Sequence, residues 1–156
     1  MESPSGSDSL QILYISRLAP SADYRAFSAV CRTARTRNPT LNVGGVLLFD
    51  GERFCQWLHG QAGAVEDLMA KITRDDRHTD IQVLHHVTMA HDLADSRWCC
   101  GFVLPDALDV LDRAGSGRND AMGSFRELLA AADLEPSVAL RGAPEPPAAQ
   151  ACLDGA

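Results

Sequence analysis

The chain lacks most of the features that would announce its chemistry. No apolar run approaches the roughly 20 residues that a transmembrane helix needs, so no membrane association is expected. No basic cluster gathers its scattered arginines. With a net charge of -7 and a pI near 5.1, nucleic acid is not expected as a direct partner. The opening "MESPSGSDS" is polar and acidic and has none of the charged-then-apolar character of a secretory signal. The expected location is the cytoplasm. Five cysteines (Cys31, Cys55, Cys99, Cys100 and Cys152) form no C-x-x-C pair and no even framework. They are expected to be small buried hydrophobes or idle thiols, with Cys99 and Cys100 on opposite faces of a strand, one inward and one outward. His85, His86 and His91 could be drawn with that pair as a metal cluster. Adjacent strand histidines diverge, however, and no ligand spacing recurs, so no metal is expected. There are no internal repeats.

What is present reads as one α+β domain. "LQILYIS" (10–16) alternates, with Leu10, Ile12, Tyr14 and Ser16 on one face and Gln11, Leu13 and Ile15 on the other. Ser21 can cap a helix over 22–37, where Phe27, Val30, Cys31 and Ala34 recur at helical spacing. Asn38-Pro39 should stop it. Residues 42–50 and 52–60 form a hairpin around Asp50-Gly51, a second helix covers 62–74, and strands follow at 81–89 and 97–104. The order β-α-β-β-α-β plus a fifth strand predicts a ferredoxin-like sandwich with both helices on one sheet face. The other face would leave Leu13, Ile15, Trp57 and Val103 bare. Helices at 107–112 and 119–133 are the expected cover, through Leu108, Leu111, Phe125, Leu128 and Leu129. The expected organisation is a disordered N-terminus (1–8), a ligand-binding domain (9–104), a helical cap (105–134) and a disordered tail (135–156) rich in proline and alanine.

One glutamine interrupts the apolar alternation of "RFCQWLHG" (53–60), and on a buried face it needs a partner. Parity puts Tyr14 and Gln56 on matching faces. Asn38, closing the first helix, can reach the same groove, which Val30 and Ile72 would wall. A flat heteroaromatic ring suits such a groove, its faces gripped by apolar side chains and its edge met by polar ones. A simple buried Tyr–Gln bond and an ordinary helix stop would fit the same residues, and spacing alone leaves both readings open.

"LYIS" with Tyr14, "RNPTLNVGGVLLFDGERFCQWLHG" with Asn38 and Gln56, "RDDRH" (74–78) and "RWCCGF" (97–102) together resemble the BLUF domain, a blue-light sensor using flavin. The resemblance spans about residues 9–104. It implies a flavin, most simply FAD and otherwise FMN or riboflavin, held between the two helices. It further implies that Tyr14 donates an electron and a proton to the excited flavin, and that Gln56 bridges Tyr14 and the flavin edge and rearranges. Asn38 would bond the pyrimidine edge, Val30 and Ile72 would sandwich the ring, His78 would lie near its far side, and Trp98 and Cys100 would relay the change along strand five. The family usually carries methionine where Cys100 stands, and its Arg-x-Phe segment before the tryptophan is missing from "HDLADSRW". The stretch after 105 is too short for a catalytic output domain. The expected protein is therefore not an enzyme but a photosensor that signals to a downstream protein, as a homo-oligomer. Two alternatives are a light-insensitive interaction module derived from the same domain, and an acylphosphatase-like hydrolase. The hydrolase would need an anion loop better than "SRLAPSAD" with its Arg17.

Overall fold

The computed structural model describes residues 8–90, 97–114, 121–131 and 133–135. One six-stranded sheet organises them, in the order β4-β1-β3-β2-β5-β6. Within it β1 (Ser9–Leu18) and β3 (Arg53–Gln61) are interior neighbours, antiparallel to one another. β2 (Gly44–Phe49) joins β3 in a hairpin, and β4 (His78–Met89) flanks β1. β5 (Trp98–Phe102) lies parallel to β2, and the short β6 (Asp133–Glu135) adds to β5. The first four strands have the ferredoxin-like arrangement; β5 is the expected addition, and β6 is a strand that the sequence pattern did not suggest.

Strand alternation divides the core into two layers, as the β1 pattern requires. Leu10, Ile12 and Tyr14 face the helical side, packing with Leu58 and with Val65 and Leu68 of α2 (Ala62–Thr73). Leu13 and Ile15 face the opposite side, beside Val46, Leu48, Cys55 and Trp57. That second face is covered as the bare apolar row demanded. Leu108, Leu111 of α3 (Asp109–Ala114), and Phe125 and Leu129 of α4 (Ala121–Ala131) are each at most 1% exposed upon it. Each of these four side chains contributes about 1.5–3 kcal/mol on burial, which favours the covered over the bare sheet face. Leu128 and Val103 pack at its margin.

The first helix departs from expectation at both ends. α1 spans Arg25–Thr40, and Ser21 does not cap it. The carboxylate of Asp23 instead accepts from the Arg25 backbone N–H at 2.9 Å. Asn38-Pro39 does not stop the helix but forms its final turn. Pro39 has no N–H to donate to the carbonyl four residues back, so the final turn gives up one helical bond. The Asn38 carbonyl accepts from the N–H of both Leu41 and Val43, and the chain then turns out through Asn42 at φ 56°. The β2–β3 turn is as expected: Gly51 takes φ 99°, and Asp50 Oδ1 accepts from the backbone N–H of Glu52 and Arg53. β4 begins three residues earlier than predicted, at His78, and β5 is shorter than predicted.

Cys99 and Cys100 do alternate, but both are buried because both sheet faces are covered. Cys31, Cys55 and Cys100 are not disulfide-bonded, whereas Cys99 is, against the expectation of an idle thiol. Apart from Asp8 and Glu135, the expected terminal segments lie outside the described residues, as does His91.

Candidate functional site

Tyr14 and Gln56 are direct cross-strand partners on β1 and β3. The Tyr14 hydroxyl donates to Gln56 Oε1 at 2.6 Å, with both residues 3% exposed. Burial holds the Tyr14 phenol well above the ordinary tyrosine pKa, so it is a neutral donor at any physiological pH. Because a phenol O–H occupies the amide oxygen, the NH₂ is the group that Gln56 has to offer elsewhere.

Beside this pair lies a cavity of about 300 Å³ between the helices and the sheet, lined by Val30 and Arg37 from α1, Leu47, Phe54, and Ile72 from α2. Val30 and Ile72 thus both line the cavity, one from each helix. Asn38 is not itself part of the lining. Fully buried, it accepts from Arg37 Nε at 3.0 Å through Oδ1, while its Nδ2 is a buried donor without a protein partner. A guanidinium can only donate, so it fixes the Asn38 oxygen toward Arg37 and leaves the amide NH₂ to find an acceptor. Two amides thus have their oxygens occupied and their donors to spare. A ring whose edge presents a heteroaromatic nitrogen and carbonyl oxygens, as flavin does, satisfies that donor set.

His78 stands at the first residue of β4. One ring nitrogen lies 2.8 Å from Ser16 Oγ and the other donates to the Ile72 carbonyl at 2.7 Å. It thereby pins the last turn of α2, and with it the Ile72 wall, against β1. Its ring centroid is 6.2 Å from that of Tyr14.

The cavity mouth was not legible in the sequence. Arg37, Lys71, Arg74 and Arg77 gather there with a single carboxylate, Asp75. Arg77 grips Asp75 with two bonds of 2.9 and 2.6 Å and holds its carboxyl below the usual range. Basic residues in a last helical turn are ordinary complements of the helix dipole, and only the fold shows that both helices end at the same opening. The resulting rim suits an anionic group on a ligand.

Trp98 and Cys100 are buried on the cavity side of the sheet, packed with Phe27, Cys31 and Ala34 of α1. Arg35 Nη2 lies 3.4 Å from Cys100 Sγ. Cys100 is paired with Leu47, and Leu47 with Gln56, so one lateral row runs Tyr14–Gln56–Leu47–Cys100 across four strands. β2 therefore stands between Gln56 and β5, and any communication along this row must pass Leu47. His59 lies on the far face, its ring 4.5 Å from that of Trp57.

The model of the family described as "BLUF: Sensors of blue-light using FAD" matches residues 10–95. The chain is 34% identical over 97 residues to the photoactivated adenylate cyclase subunit beta of Euglena longa, covering 62% of this chain and 11% of that protein. Against the corresponding subunit of Euglena gracilis it is 34% identical over 87 residues, covering 56% and 10%. It thus spans about a tenth of the length of these relatives. Its fold matches BlrB, a BLUF protein in its dark state, with TM-score 0.62 at 22% identity over 81% of this chain and 98% of that one. It also matches BlsA in its photo-activated state, with TM-score 0.62 at 20% identity over 77% and 94%. The paired Tyr14 and Gln56, the walled cavity between two helices and the match over 10–95 together place the chain in the BLUF family of blue-light sensors that use FAD.

Proposed function

We propose that this chain is a blue-light receptor in which Tyr14 and Gln56 form the photoactive pair beside a bound flavin. The observation that carries the reading is the buried 2.6 Å bond from Tyr14 to Gln56 at the wall of a cavity with an acceptor-seeking amide nearby. Flavin supplies visible absorption and an excited state that accepts an electron. The residues of the chain do the rest. Val30 and Ile72 would grip the ring faces, and the unpartnered Nδ2 of Asn38 would be the donor for a ring carbonyl once its side chain turned toward the cavity. His78 holds the Ile72 wall, and the basic rim of Arg37, Lys71 and Arg74 meets a phosphate. Tyr14 would pass an electron and its hydroxyl proton to the excited flavin, which would free Gln56 Oε1 to exchange roles with Nε2. An amide carries donor and acceptor on one rotor, so one rearrangement changes what the ring edge receives.

The domain is a sensor rather than a catalyst, and its signal leaves by protein contact, to a downstream partner or a second copy. FAD or FMN fits the rim better than riboflavin, which lacks a phosphate. Among the described residues, no helix is long and apolar enough to cross a membrane. The purified protein should be yellow with structured flavin absorption bands. Acid release of its chromophore should give a phosphorylated flavin; a colourless protein that takes up neither FAD nor FMN would overturn the reading.

A further inference from the structure

The row that ends at Cys100 faces α1, whereas the C-terminal cap lies on the opposite face of the sheet. Cys99 of β5 belongs to the apolar cluster that holds the cap, and a polar grip on the cap comes from β3. Arg53, the first residue of that strand, is 9% exposed overall and engages four groups at once. Its Nε donates to Asp50 Oδ2 at 3.1 Å, within the β2–β3 turn. Nη1 donates to Asp112 Oδ2 at 2.7 Å, and Nη2 to Asp109 Oδ1 at 2.8 Å and to the Pro105 carbonyl at 2.6 Å. Asp109 and Asp112 belong to α3, and Pro105 opens the short 3-10 turn (Pro105–Ala107) that precedes it. Arg17 of β1 adds only a loose contact to Asp112 at 3.9 Å.

A planar guanidinium that meets acceptors along two edges is geometrically demanding, far more so than the apolar contacts around it. Apolar contacts tolerate a small slide of the cap; these four bonds do not. Arg53 also lies three residues from Gln56 on the same strand, about 10 Å away at the rise of an extended chain. A shift or twist of β3 at Gln56 therefore acts on the grip directly, whereas the β5 route must first cross β2.

We propose that Arg53 is the positioning residue through which β3 holds the C-terminal cap, so that rearrangement at Gln56 reaches α3 along β3 rather than through Trp98 and Cys100. The inference rests on the photoreceptor reading. It adds to that reading the route and the residue that conveys the signal, with Asp109 and Asp112 as its receivers. Asp50 anchors the guanidinium from the sheet side: its side chain is 1% exposed, whereas those of Asp109 and Asp112 are 47% and 34% exposed. The receiving contacts are thus the ones that can open to water at small cost.

The test uses the full chain with its flavin, comparing hydrogen exchange in the dark and under blue light. In the native protein, light should speed exchange in residues 105–114. The Asp109→Asn/Asp112→Asn variant removes the charge pairing from the cap side and leaves the buried Arg53–Asp50 contact in place, so the sheet should remain folded. It should keep the light-induced absorption shift yet lose the light–dark difference in 105–114, with exchange there already raised in the dark. Cys100→Ala should leave that difference intact. An Asp109→Asn/Asp112→Asn protein that retains the full difference would overturn the route, as would a Cys100→Ala protein that loses it. A native protein that shows the absorption shift but no light-dependent exchange in 105–114 would also overturn it, with the photoreceptor reading untouched. A native protein with flavin but no absorption shift would sink that reading, and this inference with it.

Discussion

Replacing Tyr14 by Phe removes one oxygen from a site 3% exposed and leaves Gln56 Oε1 without its 2.6 Å donor. An acceptor stranded in such a place costs about 1–3 kcal/mol, because its water was given up on folding and its partner is now gone. Gln56→Leu strands the Tyr14 hydroxyl instead and should cost a similar amount. The double variant Tyr14→Phe/Gln56→Leu replaces both polar partners with apolar groups of comparable size, a change that can be nearly neutral. The two single losses should therefore not add. Stability should recover in the double variant, with a coupling energy of about 1–3 kcal/mol between adjacent residues. Urea denaturation of the four proteins, followed by tryptophan fluorescence, measures that coupling. Light-induced difference spectra on the same samples should show all three variants retaining flavin and none giving the light-induced shift. Strictly additive losses would refute the physical role given to the bond; a normal photoresponse in either single variant would refute its functional role.

Arg37→Ala frees the Asn38 amide to turn and removes one rim cation, so flavin dissociation, followed by flavin fluorescence, should become about tenfold easier, equivalent to about 1.4 kcal/mol. Gly45 holds φ 149° with its Cα against β3, where an added Cβ would meet the Trp57 carbonyl oxygen at 1.9 Å. Gly45→Ala should therefore fail to give soluble folded protein, judged by expression and circular dichroism. The raised pKa of Tyr14 gives a pH dependence of definite sign. Above about pH 10 the unfolded phenol ionises while the buried one does not. Tyr14 therefore contributes its full stability below that pH and loses it as pH rises, lowering the urea midpoint in alkali; in Tyr14→Phe this part of the decline should vanish.

How much of this was legible in the sequence follows from which forces act locally. The alternation of "LQILYIS" and of "RFCQWLHG" set the two faces of β1 and β3, and with them the meeting of Tyr14 and Gln56, because a strand has only two sides. The bare row of Leu13, Ile15 and Trp57 required a cover, and the later leucines and Phe125 supply it. Helix ends were read less well. Asn38-Pro39 looks like a stop, but the burial of Asn38 against the rest of the fold carries the helix through it despite the bond that Pro39 cannot make. The cap-side half of the Arg53 ion cluster could not be read at all: Asp109 and Asp112 stand 56 and 59 residues away, and nothing in local pattern marks an arginine as buried. The basic rim escaped for a related reason, being assembled from the ends of two helices that only the fold brings together.

Blue-light illumination of the purified flavin-bound protein, with visible absorption recorded before, during and after, bears on the Tyr14–Gln56 switch most directly. A small displacement of the flavin bands to longer wavelength that reverts in the dark is the expected result. A flavin-loaded protein whose bands do not move under illumination would contradict it.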